Sequence, residues 1–335
     1  MRSISIAAIV VTFNRKKKLL DCLNGLINQT RALDTIFIVD NSSIDGTEME
    51  LYHNNYIKVA PTQKEKEIFK TETLLQIPSK KEGENLKIVY LRLPLNEGGA
   101  GGFYEGVKLG YELGFDWLWL MDDDGLPEKQ ALHNLLLFSA RAHFINSLVI
   151  DIENKTELSF ALKANNSANN LKTINDAVLD ASDGLIYNQA NPFNGTLISK
   201  ELVSKIGLPK KEFFIWGDEV EYQLRAEKSN LGIATVVSAL HFHPKANTKI
   251  HKIPFFKHEI SWSGIPIKDY CCIRNIAYIH KKHFPKSVVT TIFKYLIFFL
   301  FKGDVSTSLF CIKATYDGVF ERWGQERKYL SKDNS

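Results

Sequence analysis

Residues 117–124 read WLWLMDDD, an apolar run that ends directly in Asp122, Asp123 and Asp124. The run predicts a short buried strand, and ligands of open α/β sheets bind at the carboxyl ends of such strands. Three adjacent carboxylates repel one another unless a cation neutralises them. We therefore expect Asp122 and Asp124 to converge on Mg²⁺ or Mn²⁺, with Asp123 directed to a ribose hydroxyl. The alternative is an acidic surface turn that caps a helix.

Upstream of this stretch, the sequence opens with a predicted βαβ unit. Ile4–Thr12 and Thr35–Val39 are short runs rich in β-branched residues, and Arg15–Gln29 has helical apolar spacing between them. This order predicts an α/β protein with a mostly parallel sheet flanked by helices. Further predicted strands are Leu86–Leu93, Asp116–Met121, Phe193–Ser199 and Ile233–Leu240, and further helices are Tyr104–Gly114, 126–145 and Glu219–Lys228. The polar segments 53–86 and 151–183 are predicted to lie outside the sheet, as excursions between its strands.

The sequence pattern changes near residue 246, after which helical spacing dominates. We predict a nucleotide-binding and catalytic domain over residues 1–245 and a smaller, mostly helical region over residues 246–335. Residues 245–335 carry 16 Lys/Arg against 7 Asp/Glu, whereas residues 1–244 carry 26 against 31. A basic C-terminal region suggests an anionic partner such as a membrane surface, although a solvated basic face is the alternative. No recognised nucleic-acid module is present, so nucleic acid is not expected as a partner.

The apolar run Val288–Phe301 is shorter than a membrane-spanning helix, which needs about 20 residues. Flanking lysines suit an interfacial helix, and a buried core helix is the alternative. The four cysteines form no CxxC pair, which is typical of a reduced chain. These features predict a cytoplasmic protein, peripheral on the inner face of the cell membrane. A homo-oligomer stays open.

Three further motifs carry candidate chemistry. The glycine-rich stretch Asn96–Phe103 leaves backbone open to a ligand, but it is not a phosphate loop of the GxxxxGK[ST] type. In Phe213–Arg225 an aromatic run meets acids, which are either helix-start residues or a general base. His241 and His243 alternate on one face of a predicted strand, where a histidine is either structural or a metal ligand.

In their order along the chain, these motifs resemble glycosyltransferase family 2, whose members have the GT-A fold. The resemblance covers roughly residues 5–245, with a further signature at Tyr270, Arg274 and Asn275. Within the family, the glycine-rich stretch followed by WLxxMDDD looks most like the galactofuranosyltransferases. That likeness implies UDP-galactofuranose as donor, and the rhamnosyltransferases, which use a dTDP sugar, are the alternative. The matching motifs are Thr12-Phe13-Asn14-Arg15, Val39-Asp40-Asn41 with Ser43, Asp45-Gly46-Thr47, Asn96–Ala100, the acids 122–124, Phe193-Asn194-Gly195 and the acid pair Asp218-Glu219 before Leu224-Arg225.

The resemblance implies an inverting transfer onto a glycan or lipid-linked acceptor. Glu219 stands where the family base is usually Asp, which leaves Asp218 as the alternative base. Phe103 stands where many members carry Arg. Trp216 and Gly195 are expected at the acceptor, where core packing is the alternative for Trp216, and Asp122, Asp124 and His243 are expected at the metal. Expected nucleotide-sugar contacts are Thr12, Phe13, Arg15, Asp40, Asn96, Gly99, Gly102, Asp122 and Asp123.

Two other classes of protein stay open. A nucleotidyltransferase would share the sheet and the acidic ligands, but it usually has a glycine-rich loop after the first strand, where this chain reads Thr12-Phe13-Asn14-Arg15. A glycan-binding protein without activity would bind a donor and not turn it over.

Overall fold

The structure is a computed structural model that describes residues 4–59, 67–77, 85–164, 169–245, 250–253 and 259–330. The chain forms two compact units. Unit 1 comprises Met1–Glu97, Gly102–Pro209 and Arg225–Ala246, and unit 2 comprises Gly98–Gly101, Lys210–Leu224 and Asn247–Ser335. The predicted division into domains at residues 245 and 246 stays a prediction.

Strands and helices alternate over most of the described chain. The strands are β1 (Ile6–Thr12), β2 (Thr35–Asp40), β3 (Phe69–Gln76), β4 (Asn85–Arg92), β5 (Trp117–Asp122), β6 (Leu126–Pro127), β7 (Phe144–Asp151), β8 (Glu157–Lys163), β9 (Asn170–Thr173), β10 (Leu185–Tyr187), β11 (Asn194–Ser199), β12 (Ile233–His243), β13 (Ile250–Lys252) and β14 (Glu259–Ser261). The helices are α1 (Lys16–Ile27), α2 (Thr47–His53), α3 (Gly98–Glu112), α4 (Ala131–Leu136), α5 (Ile174–Asp180), α6 (Lys200–Ile206), α7 (Asp218–Lys228), α8 (Pro266–His283), α9 (Val288–Phe301) and α10 (Val305–Val319).

The sheet of unit 1 has the spatial order β10-β12-β7-β11-β5-β1-β2-β4-β3 within the described residues. Strand β1 lies between β2 and β5, parallel to both. Every residue of β1 is buried, as expected for a strand with helices on both faces. Its pairing sets Thr12 opposite Asp40 and Val11 opposite Asp122, so the polar ends of three strands meet at one edge. The predicted α/β fold with a large helix-flanked sheet is confirmed. The sheet is mixed, however, and the prediction of a mostly parallel sheet is wrong, because β11 runs antiparallel to both β5 and β7, and the edge strand β3 runs antiparallel to β4.

The glycine-rich stretch differs from the prediction of a loop followed by a helix from Tyr104. Helix α3 already begins at Gly98. A Cβ at Gly102 would lie 2.4 Å from Val11 Cγ1, and one at Gly106 would lie 2.4 Å from Ile9 Cγ2. These glycines therefore let α3 approach β1 more closely than a side chain allows.

The predicted helix over residues 126–145 is wrong in most of its length. Residues 126 and 127 form β6, helix α4 is confined to Ala131–Leu136, and β7 begins at Phe144. Strand β7 was not predicted because Asn146 and Ser147 interrupt its apolar pattern. Both are fully buried, and the Ser147 hydroxyl donates to the Gly195 carbonyl at 3.0 Å. A buried strand accommodates such residues when a neighbour supplies their hydrogen bonds.

Strand β3 was also not predicted, since residues 53–86 read as a polar excursion. It pairs antiparallel with β4 at the edge of the sheet, and Glu72 on β3 forms an ion pair with Lys87 on β4 at 2.6 Å. An edge strand with one face exposed to solvent commonly carries charged side chains of this kind. Within the second excursion, 151–183, the described residues include β8, β9 and α5. Residues 60–66, 78–84 and 165–168 of the two excursions lie outside the described part of the chain.

Unit 2 is mostly helical in its described residues, as expected for the C-terminal region. Tyr295, Phe298 and Phe299 on α9 are buried with Tyr270 of α8. One face of the helix formed by residues 288–301 is therefore buried in the core of unit 2. In the described part of the chain, no helix is both long and apolar enough to cross a membrane.

Candidate active site

The acids after β5 lie beside the end of β1 and the start of α1. The Thr12 hydroxyl donates to Asp123 Oδ2 at 2.7 Å. The Arg15 guanidinium donates through Nη1 to Asp123 Oδ1 at 3.1 Å and to Asp124 Oδ2 at 2.8 Å. The structure therefore brings together Thr12, Arg15 and Asp122–Asp124, which the sequence assigned to one site. We call Asp122, Asp123 and Asp124 the acid cluster.

Asp124 is surrounded by cationic groups. Besides Arg15, Lys18 Nζ lies 3.3 Å from Asp124 Oδ2, and His243 Nε2 lies 3.2 Å from Asp124 Oδ1. Burial favours the neutral acid, but the hydrogen bond and charge of His243, with Arg15 and Lys18, outweigh it and hold the pKa of Asp124 well below its usual range. Asp124 is thus the firmly ionised member of the acid cluster.

The other two acids are shifted in the opposite direction. Burial, with the charges of Asp124 and Asp123, raises the pKa of Asp122 to about 7. Burial also raises the pKa of Asp123 to about 6, although the charge of Arg15 and the hydrogen bond from Thr12 oppose it. An added cation would favour ionisation of both acids.

His243 has a defined orientation at the end of β12. Its Nδ1 lies 2.7 Å from the carbonyl oxygen of Pro244, so Nδ1 carries a proton and donates to it. Burial lowers its pKa, but the hydrogen bond and charge of Asp124 more than compensate and raise it. Nε2 therefore faces Asp124, in the orientation by which a second hydrogen bond usually fixes a metal-binding imidazole.

The carboxylate and imidazole groups of this site are suitable ligands for a divalent cation, but their present arrangement does not form a complete coordination site. Asp124 and His243 present an oxygen and a nitrogen toward each other, while Arg15 and Lys18 hold the second oxygen of Asp124. Within the ranges that the structure describes, no group of three or more His, Cys, Asp and Glu side chains could hold a metal ion as placed. Arg15 and Lys18 would compete with a bound cation for that second oxygen.

His241, two residues before His243, has a different environment. It is fully buried, and burial lowers its pKa to about 3. Neither ring nitrogen has a hydrogen-bond partner among the described residues. A Cβ at Gly125 would lie 2.2 Å from its Nε2, and one at Gly195 would lie 2.9 Å from its Nδ1. His241 is therefore a neutral ring packed between two glycines, and Gly195, predicted at the acceptor, is buried with a φ of 70°.

One of the predicted nucleotide-sugar contacts, Asp40, is buried within the protein. Asp40 is fully buried, and its Oδ1 accepts from the Ser43 amide at 2.8 Å while its Oδ2 accepts from the Tyr90 hydroxyl at 2.6 Å. Burial raises the pKa of Asp40, and these hydrogen bonds oppose the shift. A contact of Asp40 with a base would require Ser43 or Tyr90 to give way. Its predicted role stays a prediction.

The remaining predicted nucleotide contacts differ in exposure. Phe13 and Asn96 are half-buried. Gly102 is buried against Val11, whereas a Cβ at Gly99 would meet nothing within 4 Å. Phe103 is buried and packs against Phe193 with the two rings tilted and their centroids 4.4 Å apart. Of the predicted glycine contacts, Gly99 therefore has the open surface a ligand needs.

In unit 2, the segment before α7 has an unusual backbone. Phe214, Trp216 and Gly217 have φ values of 65°, 62° and 89°, the left-handed region that non-glycine residues rarely adopt. Trp216 is 40% exposed, so it is not a core residue. Asp218 is buried, whereas Glu219 is half-buried and its Oε2 accepts from the Gly217 amide at 2.8 Å. Of the two candidate bases, Glu219 is the more accessible.

Two residues of α8 hold this segment. The Asn275 amide donates to the carbonyls of Phe213, Ile215 and Trp216 at 3.0, 3.0 and 2.6 Å. Arg274 is fully buried, donates to the Phe213 carbonyl at 2.8 Å and pairs with Glu326. Both residues were predicted only as part of a motif, with no role assigned. Lys18 was not predicted at all, although its place in the basic run Arg15–Lys18 directly after β1 was the available signal.

The helix-flanked sheet with carboxylates at its strand ends has the GT-A fold. Residues 4–253 match the family described as "Glycosyltransferase like family 2", so the chain belongs to that family. It is similar to galactofuranosyltransferase GlfT1 of Mycolicibacterium smegmatis, with 27% identity over 281 residues and 82% of each chain covered. GlfT1 of Mycobacterium tuberculosis is 29% identical over 283 residues, again with 82% of each covered. The predicted resemblance to galactofuranosyltransferases is confirmed.

A solved structure supports the fold. GalNAc-T7, crystallised with UDP, GalNAc and Mn²⁺, is similar with a TM-score of 0.53 and 13% identity, over 96% of this chain and 58% of that one. At this identity the likeness concerns the fold alone.

Proposed function

We propose that this glycosyltransferase transfers galactofuranose from UDP-galactofuranose, with inversion, to a glycan or lipid-linked acceptor. The similarity to galactofuranosyltransferases over most of the chain supports the donor. The observation that carries the proposal is the acid cluster beside Arg15, Lys18 and His243. It offers carboxylates for a cation and basic side chains for a diphosphate at the same strand ends.

Mg²⁺ or Mn²⁺ is part of the proposal, with Asp122, Asp124 and His243 as the residues that would hold it. When bound, such an ion acts as a Lewis acid that stabilises the departing diphosphate. That GalNAc-T7 was crystallised with Mn²⁺ supports this choice. Arg15 and Lys18, once released from Asp124, are available to the diphosphate oxygens. Thr12 and Asp123, with Phe13, Asp40, Asn96, Gly99 and Gly102, are proposed for the rest of the donor.

The reaction is a direct displacement at the anomeric carbon. Glu219, or Asp218, takes the proton of the acceptor hydroxyl. The hydroxyl oxygen forms a bond to the anomeric carbon while the bond from that carbon to the diphosphate oxygen breaks, and UDP leaves with the electron pair. The half-buried position of Glu219 supports it as the base, since a base must reach its substrate. Trp216, which is exposed and lies two residues before Asp218, is proposed as an apolar platform for the acceptor, where Gly195 was also predicted.

A donor panel tests the proposal. UDP-galactofuranose, UDP-galactopyranose and dTDP-rhamnose are compared by thermal shift and by nucleotide release, each with and without Mn²⁺. We expect stabilisation and UDP release with UDP-galactofuranose and Mn²⁺. Turnover of dTDP-rhamnose instead would indicate a rhamnosyltransferase, release of pyrophosphate a nucleotidyltransferase, and donor binding without turnover a glycan-binding protein.

A matched pair of variants ties the activity to the acid cluster. Asp124→Asn removes the ionised acid, and we expect turnover to fall by about 10²-fold or more, as for other single charge-stabilising groups. Asp21→Asn makes the same change on the exposed face of α1 and should leave turnover unaltered. Equal activity of the two variants would contradict the assigned site.

A peripheral position on the cytoplasmic side of a membrane, where a lipid-linked acceptor is reached, completes the proposal. The excess of Lys and Arg after residue 245 supports it.

A further inference from the structure

One face of α10, together with the residue that follows the helix, carries a row of exposed apolar side chains. Val305, Leu309, Ile312, Tyr316 and Phe320 are each 40–61% exposed. They follow one another at intervals of four, three, four and four residues, which places them on the same side of a helix. At 1.5 Å per residue, the row is about 22 Å long. We call these five residues the α10 row.

The α10 row is not the face by which this helix packs into unit 2. The opposite face is buried and consists mainly of small residues, and a Cβ at Gly318 would lie 2.0 Å from the Arg274 carbonyl oxygen. At the end of α9, Leu300 and Phe301 are also about half exposed. Exposed apolar side chains are therefore also present in the turn of α9 that precedes α10. Exposed apolar patches of this extent usually mark an interaction surface.

The charges around the row are predominantly positive. Residues 281–322 contain 7 Lys/Arg against 3 Asp/Glu. Lys302 lies at the end of α9, just before the row, and the Arg322 guanidinium lies 5.7 Å from the centre of the Tyr316 ring, at its other end. Of the acids, Asp317 is buried and paired with Lys313 at 2.9 Å, Asp304 caps the start of α10, and the exposed Glu321 is paired with Lys281 at 3.4 Å. Each acid is thus already engaged, and the basic residues are in excess.

This combination favours one kind of partner. Two copies of the chain that met through the α10 row would bring the same basic groups together, which costs free energy. A bilayer with anionic lipids instead offers an apolar interior to the row and negative headgroups to Lys302 and Arg322. An amphipathic helix with an apolar face and Lys or Arg beside it is typical of interfacial binding.

We propose that the α10 row inserts into the interfacial region of an anionic lipid bilayer, with Lys302 and Arg322 at the headgroups. The proposal rests on the peripheral position in the proposed function and deepens it by assigning the contact to α10. It is independent of the donor and of the transfer step. A vesicle-binding assay therefore tests it without reference to catalysis.

The test is sedimentation of the full chain with lipid vesicles. Neutral vesicles consist of phosphatidylcholine, and anionic vesicles contain phosphatidylglycerol as about one lipid in three. The wild type should bind the anionic vesicles and bind the neutral ones at least about tenfold less. Leu309→Glu with Ile312→Glu should lower the partition by about tenfold or more, since two apolar side chains no longer insert. Leu309→Ser with Ile312→Ser, which adds no charge, should show a smaller loss in the same direction.

Leu137→Glu with Leu179→Glu is the matched control, because both leucines are exposed and lie in unit 1. It should bind vesicles as the wild type does. Equal binding of the control and α10 variants, or no binding of the wild type to anionic vesicles, would overturn the proposal. So would a dimer in light scattering that the Glu variant abolishes while vesicle binding is unchanged. UDP release, measured in parallel without lipid, should be the same in all variants, which separates this proposal from the transfer activity.

Discussion

The side-chain amide of Asn275 donates a hydrogen bond to the main-chain carbonyl of Trp216, with 2.6 Å between nitrogen and oxygen. The same amide group also reaches the carbonyls of Phe213 and Ile215. These bonds hold a segment whose left-handed residues are individually unfavourable, and such conformations persist only where the surroundings fix them. Because the segment leads directly into Asp218 and Glu219, α8 determines where the candidate bases stand.

Asn275→Ala should therefore affect turnover more than donor affinity. The three carbonyls lose their common donor, and we expect kcat to fall about tenfold or more while the donor KM changes less than about threefold, as for a mispositioned base. The free energy of unfolding should fall by about 1–3 kcal/mol, the usual loss when a buried polar partner is removed. Steady-state kinetics and urea unfolding measure the two effects.

The control is Asn134→Ala. Asn134 donates to the Ser238 carbonyl at 2.6 Å in an exposed position of unit 1, so it loses the same kind of bond away from the proposed base. Its kcat should equal that of the wild type. A parallel loss of kcat in both variants would assign the effect of Asn275 to general destabilisation.

Lys18→Met should tighten the binding of Mn²⁺ in the absence of donor. Lys18 Nζ competes with a cation for Asp124 Oδ2, and its removal leaves Arg15 on that oxygen and takes away one of the two competing charges. Because Lys18 is half exposed, the ion pair is worth at most about 1 kcal/mol. We therefore expect a gain in Mn²⁺ affinity of about two- to fivefold, measured by isothermal titration calorimetry, together with weaker UDP binding.

Lys17→Met removes the same charge from the neighbouring position. Lys17 is exposed and has no ion pair among the residues that the structure describes. It should show little change in Mn²⁺ affinity. If both variants shift Mn²⁺ affinity equally, the effect is one of overall charge, and the ion pair of Lys18 does not restrain the acid cluster.

The acid cluster was predictable from the sequence because its position follows from parallel strand pairing. An apolar strand that ends in Asp122 must present its acids where β1 ends, beside Thr12. The ion pairs of Asp124 were not predictable, since they depend on which long side chains fold back from α1. The segment held by Asn275 was not predictable either, because its hydrogen bonds join residues about 60 positions apart. Strand β7 was missed for a third reason: Asn146 is polar in the sequence but satisfied in the fold.

His241 should make the stability of the protein depend on pH. Burial lowers its pKa to about 3, so between pH 3 and the unfolded pKa of about 6.5 the unfolded chain binds more protons. Stability therefore falls as pH decreases through this range, and the contribution lost at pH 5 is about 2 kcal/mol relative to pH 8. Urea unfolding at the two pH values should show this loss in the wild type.

His241→Asn removes the titrating ring. The free energy of unfolding of this variant should therefore fall by about 2 kcal/mol less between pH 8 and pH 5 than that of the wild type. Asp122 and Asp123, whose pKa values are raised, act in the opposite direction, so the difference between the two proteins is the quantity to compare. If His241→Asn and the wild type lose the same free energy of unfolding between pH 8 and pH 5, the ring of His241 must reach a proton-accepting partner or solvent in solution.

The choice between Glu219 and Asp218 is decided by isosteric variants. Glu219→Gln keeps the hydrogen bond to the Gly217 amide, because the amide oxygen still accepts, but it cannot take a proton. We expect kcat to fall by about 10²–10⁴-fold, the usual contribution of a general base, with the affinity for UDP unchanged in calorimetry. Glu227→Gln makes the same change at an exposed position of α7 and should retain full activity. If Asp218→Asn is instead the inactive variant and Glu219→Gln is active, the buried acid is the base, and the segment before α7 must open to admit the acceptor.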